Sequence, residues 1–392
     1  MWRWIILGIA ILAFLVFGFS LADVASNGDV QASAVIGAAD ADISGFARAT
    51  APLDWQFPRD FAAHEDYQTE WWYYTGNIAT AEGRRFGYQF TIFRRSITAE
   101  AATPESSEWR SNQLYMAHFA VSDVEGGRFF HDERFSRGGA GLAGAVYQPT
   151  YQTWLEDWRV SGLDDAARER RLTARMTYDG LPVAVDFTLS LVKPPALQGV
   201  NTDGLSAKSG EAGNASHYYS LTRMPTQGTI TIGAETFSID GYSWMDHEFS
   251  TSALGSGALG WDWFGLQFDD GREIMIGQIR LTDGGKDPNF GGLLVNADGS
   301  TRYLPSSAIT ITPTAAWTSP HTGAEYPAGW SIAVDTGAPI PLTFTLTPQL
   351  ADQELHGGGI AYWEGTVRID GDVSGYGYAE LTGYVDALTG RF

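Results

Sequence analysis

What most constrains the fold of this chain is a two-residue rhythm of apolar and polar side chains that returns along most of its length. It is plain in Phe86-Gly87-Tyr88-Gln89-Phe90-Thr91-Ile92 and in Val183-Ala184-Val185-Asp186-Phe187-Thr188-Leu189. It returns in Gly228-Thr229-Ile230-Thr231-Ile232 and in Ile274-Met275-Ile276-Gly277-Gln278-Ile279. Successive side chains of a strand point to opposite faces, so a period of two marks half-buried strands. Turn signals separate these runs at short intervals: Glu82-Gly83, Glu125-Gly126-Gly127, Asp179-Gly180, Asp240-Gly241, Asp270-Gly271, Asp298-Gly299 and Asp370-Gly371. Helical spacing is confined to a short charged run at 164–171. The chain is therefore expected to be all-β, built as sandwiches or barrels.

A weak internal repeat suggests two copies of one β unit. Trp72-Tyr73-Tyr74-Thr75-Gly76 leads through Glu82-Gly83-Arg84 into a long alternating run, and Trp261-Asp262-Trp263-Phe264-Gly265 leads through Asp270-Gly271-Arg272 into another. The Pro-, Gly- and Ser-rich stretch at 194–215 lacks alternation and reads as the join. The expected division is 51–200 for the first unit and 201–392 for the second.

The amino terminus reads differently. One early Arg3 precedes an almost uninterrupted apolar run at 5–22, and Ser20-Leu21-Ala22 supplies a small-x-small step. Residues 1–22 are read as an export signal or a retained membrane anchor, with 23–50 as a polar, Ala-rich linker. Either reading puts the folded part outside the cytoplasmic membrane, in the periplasm or at the membrane's outer face. There are no cysteines, so disulfides, thiolate metal sites and thiol nucleophiles are excluded. A net charge of −21, with no basic run to interrupt it, argues against a nucleic-acid partner.

Chemistry-bearing residues concentrate in Tyr242-Ser243-Trp244-Met245-Asp246-His247-Glu248-Phe249-Ser250 and in Gly260-Trp261-Asp262-Trp263-Phe264. Charged groups avoid such aromatic surroundings unless they are paired or working. In an extended strand Asp246 and Glu248 face one side and His247 the other, unless a bend at Gly241 or Ser250 changes that. An Asp246–His247 pair would suit proton transfer, with Asp262 a second acid. The competing reading is a buried His and Asp that only hold the hairpin. Trp244, Trp261 and Trp263 would wall an apolar pocket, with Glu248, His217 and Tyr218 also in contact with ligand. Glu70, before Trp71-Trp72-Tyr73-Tyr74, would reach the same groove or cap a turn. His118 reads as a satisfied barrel histidine sharing a face with Met116, and His131-Asp132-Glu133 as a solvated turn. Glu364 and Glu380 read as lone acids buried against backbone in aromatic strands. Seven scattered histidines show no His-x-His or His-x-x-x-His spacing, so no metal is expected. A Gly-x-Ser-x-Gly elbow, a phosphate-binding loop and a dinucleotide fingerprint are all missing, so no cofactor is expected.

The chain resembles the AttH/CrtC family of lipocalin-like proteins, which includes the carotenoid 1,2-hydratases. The resemblance is carried by Thr69-Glu70-Trp71-Trp72-Tyr73-Tyr74-Thr75-Gly76, His118-Phe119-Ala120, His131-Asp132-Glu133-Arg134-Phe135-Ser136 and Ala215-Ser216-His217-Tyr218-Tyr219-Ser220. It continues through the Trp244–Phe249 stretch, Ser319-Pro320-His321-Thr322-Gly323-Ala324, Tyr362-Trp363-Glu364-Gly365 and Leu381-Thr382-Gly383-Tyr384. It implies two tandem lipocalin-like (calycin) barrels, with the pocket in the second barrel and the groove between them. It also implies acid-catalysed hydration of an isolated alkene, in which aromatic faces steady a carbocation. In the hydratase branch the Asp-His pair is followed by Asn-Trp, and a later strand offers Tyr-x-Asp. Here Glu248-Phe249 and Ile276-Gly277-Gln278 stand there, which moves the chain toward the AttH branch. The expectation is an exported protein for a hydrophobic, isoprenoid- or lipid-like molecule, either a cofactor-free hydratase or isomerase or a carrier without turnover.

Overall fold

The structure, a computed structural model, describes residues 43–100, 107, 109–251, 254, 255 and 257–388. The apolar run at 5–22 and most of the linker expected at 23–50 lie outside the described residues. The remaining chain forms a 13-stranded sheet, a 10-stranded sheet and one small two-stranded ribbon. Both large sheets curl into nearly closed barrels, and among the described residues there is no α-helix.

The expected helical run at 164–171 is instead a turn followed by the strand Glu169–Tyr178. The Asp164 carboxylate accepts hydrogen bonds from the amides of Ala166, Arg168 and Glu169, and Ala167 takes a left-handed φ of 50°. A side chain that satisfies the backbone in this way competes with helix formation.

The sheets divide the chain later than the loop at 194–215 suggested. Strands Ala215–Ile232 and Glu235–Ser250 form a long hairpin that belongs to the first sheet. Glu235–Ser250 closes on Thr69–Ala79 in antiparallel register, with Tyr73 opposite Asp246 and Trp72 opposite His247. The second sheet begins only with Ala258–Phe268. The repeat is visible in the topology. In each sheet the aromatic strand, Thr69–Ala79 or Ala258–Phe268, pairs on one side with the next strand and on the other with the sheet's last strand, Glu235–Ser250 or Gly375–Leu381.

Each barrel has its own core. Trp72, Tyr74, Phe90, Phe119, Trp158 and Phe187 fill the first, and Phe264, Phe268, Trp330, Phe344 and Trp363 fill the second. A separate aromatic cluster of Tyr73, Tyr218, Trp244, Trp263 and Tyr378 lies between them. Polar contacts cross this seam too. The Asn77 amide donates to Gly377 O at 3.0 Å, Ser122 donates to Gln353 at 2.7 Å, and Gln267 donates to Thr222 O and Ser243 O. The fit is close: a Cβ added to Gly87 would stand 2.8 Å from the Tyr378 hydroxyl and 2.9 Å from Thr366.

Candidate active site

Strand alternation decides which side chains enter the seam. From Thr69–Ala79 come Trp71 and Tyr73, and from Gln113–Asp123 come Met116 and His118. Glu235–Ser250 contributes Asp246, Glu248 and Ser250, and Ala258–Phe268 contributes Trp261 and Trp263. The closing hairpin of the second barrel adds Tyr362, Glu364 and Glu380. These surround a cavity of about 120 Å³ between the two barrels, with Lys208 and Phe290 at its side.

Most of its walls are apolar, yet it holds four carboxyl groups. Asp246 accepts from the Tyr218 hydroxyl at 2.7 Å, the Ser220 hydroxyl at 2.5 Å and the Trp244 indole N–H at 2.8 Å. Burial raises its pKa to about 7, against the pull of those three donors. Glu364 and Glu380 stand directly opposite each other on paired strands. Burial, reinforced by the charges of Asp246 and Glu248, pushes Glu380 up to about 8. Burial and the neighbouring Glu380 raise Glu364 well above the carboxylate range. The hydroxyls of Tyr73 and Tyr362 lie near enough to ease its charged form, but among the described residues neither Glu364 oxygen has a partner of hydrogen-bonding geometry. Glu248 is paired with Lys208 at 2.7 Å. The site is thus an aromatic box holding a Glu364–Glu380 pair that keeps protons near neutrality, the condition a general acid needs.

The residues expected to act together are divided by the same alternation. His247 and Asp246 are adjacent in sequence but point to opposite faces. His247 turns into the first barrel, where Nδ1 meets the Tyr219 hydroxyl at 2.8 Å and Nε2 meets Glu70 at 2.7 Å. Burial lowers its pKa to about 4, so the ring is neutral at pH 7. Glu70 shares that interior and does not reach the cavity. Although burial works the other way, Arg94 at 2.9 Å and the rings of His64 and His247 hold its carboxyl well below the usual range.

Asp262 also faces away, bonded to Gln278, Arg280 and Tyr384. His217 meets the Tyr67 hydroxyl at 2.9 Å beside Phe249, outside the cavity. Trp244 stands behind Asp246 rather than on the cavity wall, whereas Tyr218, Glu248, Trp261 and Trp263 line it. Sequence reasoning set aside Glu364 and Glu380, which the fold makes the centre of the acidic group. The signal was available: both lie eight residues from position 372, in the turn between their strands (372 − 364 = 8; 380 − 372 = 8), so a hairpin must pair them.

His64, Glu70 and His247 bring ligating atoms within 4.8 Å of one another, a spacing a cation could use. Arg94 already neutralises Glu70, and both imidazoles spend their Glu70-facing nitrogens on its carboxylate. A divalent ion would add two positive charges beside a buried guanidinium, so this group reads as a structural brace.

A family model described as AttH-like matches residues 48–384. The crystal structure of an AttH-like protein from Nitrosomonas europaea superposes with a TM-score of 0.74 at 33% identity, covering 87% of this chain and all of that one. Kievitone hydratase from Nectria haematococca superposes with a TM-score of 0.61 at 17% identity, covering 88% and 98%, a likeness of fold. No curated protein gives a significant match.

Proposed function

This chain belongs to the AttH-like family, and from that premise we propose that it is a cofactor-free acid/base enzyme acting on a neutral hydrophobic molecule in the inter-barrel cavity. The observation that carries this is the Glu364–Glu380 pair, two carboxyls buried side by side among tryptophans and tyrosines, with Glu364 oxygens that find no hydrogen-bond partner among the described residues. A carrier for an apolar ligand gains nothing from such groups, since desolvating them opposes folding. Hydration of an alkene uses them directly. A protonated carboxyl of the pair gives its proton to one alkene carbon, and the π electrons form the new C–H bond. Positive charge then develops on the other carbon, facing Trp71, Tyr73, Trp261 and Trp263 and the surrounding carboxylates. Water adds there and yields a proton to Asp246, which is poised near neutrality. If water is excluded, loss of a proton from the neighbouring carbon gives isomerisation instead. That one relative in fold is a hydratase agrees with this chemistry without assigning the substrate. Export, as expected from residues 1–22, would put this chemistry at or beyond the outer face of the cytoplasmic membrane.

The test is to incubate the full chain with lipid extract of its host and follow bound and released molecules by mass spectrometry and chromatography. Gain of one water, or a changed retention time at constant mass, is expected for the native chain. It should be lost in Glu380→Gln and Asp246→Asn, both of which should still retain ligand. A bound molecule unchanged by either criterion would make the protein a carrier.

A further inference from the structure

Hydration as proposed leaves the acidic pair short of a proton while an apolar molecule fills the cavity. It also leaves Asp246 holding the one that water gave up, which passes to cavity water once product leaves. Recharging the pair then needs a path that does not cross the ligand. On the first barrel, the Glu133 side chain is 20% exposed and its carboxylate meets His118 Nε2 at 2.8 Å. The other ring nitrogen, Nδ1, meets the Tyr362 hydroxyl across the seam at 2.6 Å. Tyr362 stands two residues from Glu364 on the same face of its strand, with its hydroxyl beside that carboxyl. His118 and Tyr362 are buried, and both line the cavity.

We propose that Glu133, His118 and Tyr362 form a proton relay that recharges the Glu364–Glu380 pair from solvent while substrate or product fills the cavity, an inference that rests on the acid/base function above. Glu133, His118 and Tyr362 are hydrogen-bonded in series, and the last step turns the Tyr362 hydroxyl proton toward the neighbouring Glu364 carboxyl. Protonated Glu133 gives its proton to His118 Nε2 as His118 Nδ1–H passes its own to the Tyr362 oxygen. In the same concerted shift the Tyr362 hydroxyl gives its own proton to the Glu364 carboxylate, so its oxygen never carries two. One proton leaves Glu133 and one arrives at Glu364, with His118 exchanging one neutral tautomer for the other. Glu133 is recharged by bulk water, and the tautomer resets through cavity water once product leaves. Glu133 and His118 supply protons here, and neither needs to touch the reacting carbon.

The experiment uses the full chain with geraniol, a neutral isoprenoid alcohol, as cavity probe. Infrared spectroscopy follows the carbonyl stretch of the protonated carboxyls after transfer into heavy water, with Glu364→Gln identifying the Glu364 band by its loss. With geraniol bound, native protein should exchange that proton rapidly. Glu133→Gln, His118→Leu and Tyr362→Phe should each slow exchange by about a hundredfold, the scale on which a placed proton donor acts. Without geraniol, cavity water should equalise all four. Glu133→Gln keeps the shape of a partly exposed side chain and an amide able to hydrogen-bond His118, so it guards against a folding defect in the other two. Native-like exchange in geraniol-bound Glu133→Gln would overturn the relay. Absence of the carboxyl band from the native protein would instead overturn the acid/base reading beneath it.

Discussion

Replacing Glu380 with Gln tests directly whether the cavity holds protons. Gln matches the protonated carboxyl in shape and cannot ionise. In the folded chain Glu380 titrates at about 8, against about 4.5 when unfolded. The folded state therefore keeps a proton that the unfolded state releases, and the sign follows. Stability from this group is fully present below pH 4.5 and is lost as pH rises through 8. Integrating one proton across that shift, native stability should fall by about 3 kcal/mol between pH 5 and pH 8 through this group alone. Urea titrations of native chain and Glu380→Gln at pH 5, 6, 7 and 8 would isolate it as the difference between the two. The variant should gain on the native chain by about 1 kcal/mol per pH unit across that range. A difference that stays flat would mean that folded and unfolded Glu380 ionise together, and the proposed acid would have no proton to give at neutrality.

Three further outcomes follow from the packing. Arg94→Ala should destabilise the fold by about 3–5 kcal/mol in denaturant titration, because it leaves Glu70 charged and buried without its guanidinium partner. His247→Gln should remove an acid sensitivity: the ring is neutral in the fold down to about pH 4, so the unfolded chain binds a proton first as pH falls below 6.5. The variant should recover about 2 kcal/mol relative to native between pH 7 and pH 5. Gly87→Ala should cost about 1–3 kcal/mol by thermal or urea unfolding, since its methyl would drive into Tyr378 and Thr366 across the seam.

The strand architecture was legible because a period of two is a local property, and the Gly-containing turns mark where strands end. Local alternation also anticipated that Asp246 and Glu248 would part company with His247, and that Met116 and His118 would share a face. What could not be read was which face would be covered by the other barrel. That depends on pairings between distant segments, such as Tyr73 with Asp246 and His118 with Tyr362. The same non-local pairing carried the hairpin ending at Ser250 into the first sheet, past a loop whose composition looked like a boundary. His131-Asp132-Glu133 resembled a solvated turn because charge alone was read. Within the strand Arg128–Arg137 it puts Glu133 against His118, opposite it in register.

The strand Glu235–Ser250 carries two incompatible environments on its two edges of side chains, and this limits how the protein can vary. Substitution at 246 or 248 can alter the chemistry of the cavity while leaving the brace around Glu70 intact, and a change at 247 does the reverse. Insertion or deletion of one residue upstream in the same strand would exchange the two sets at once, sending an imidazole into the cavity and carboxylates into the barrel interior beside Glu70. Relatives should therefore diverge here in residue type while keeping strand length, and a library that varies 246 and 248 with spacing fixed would search new reactivities without rebuilding the scaffold.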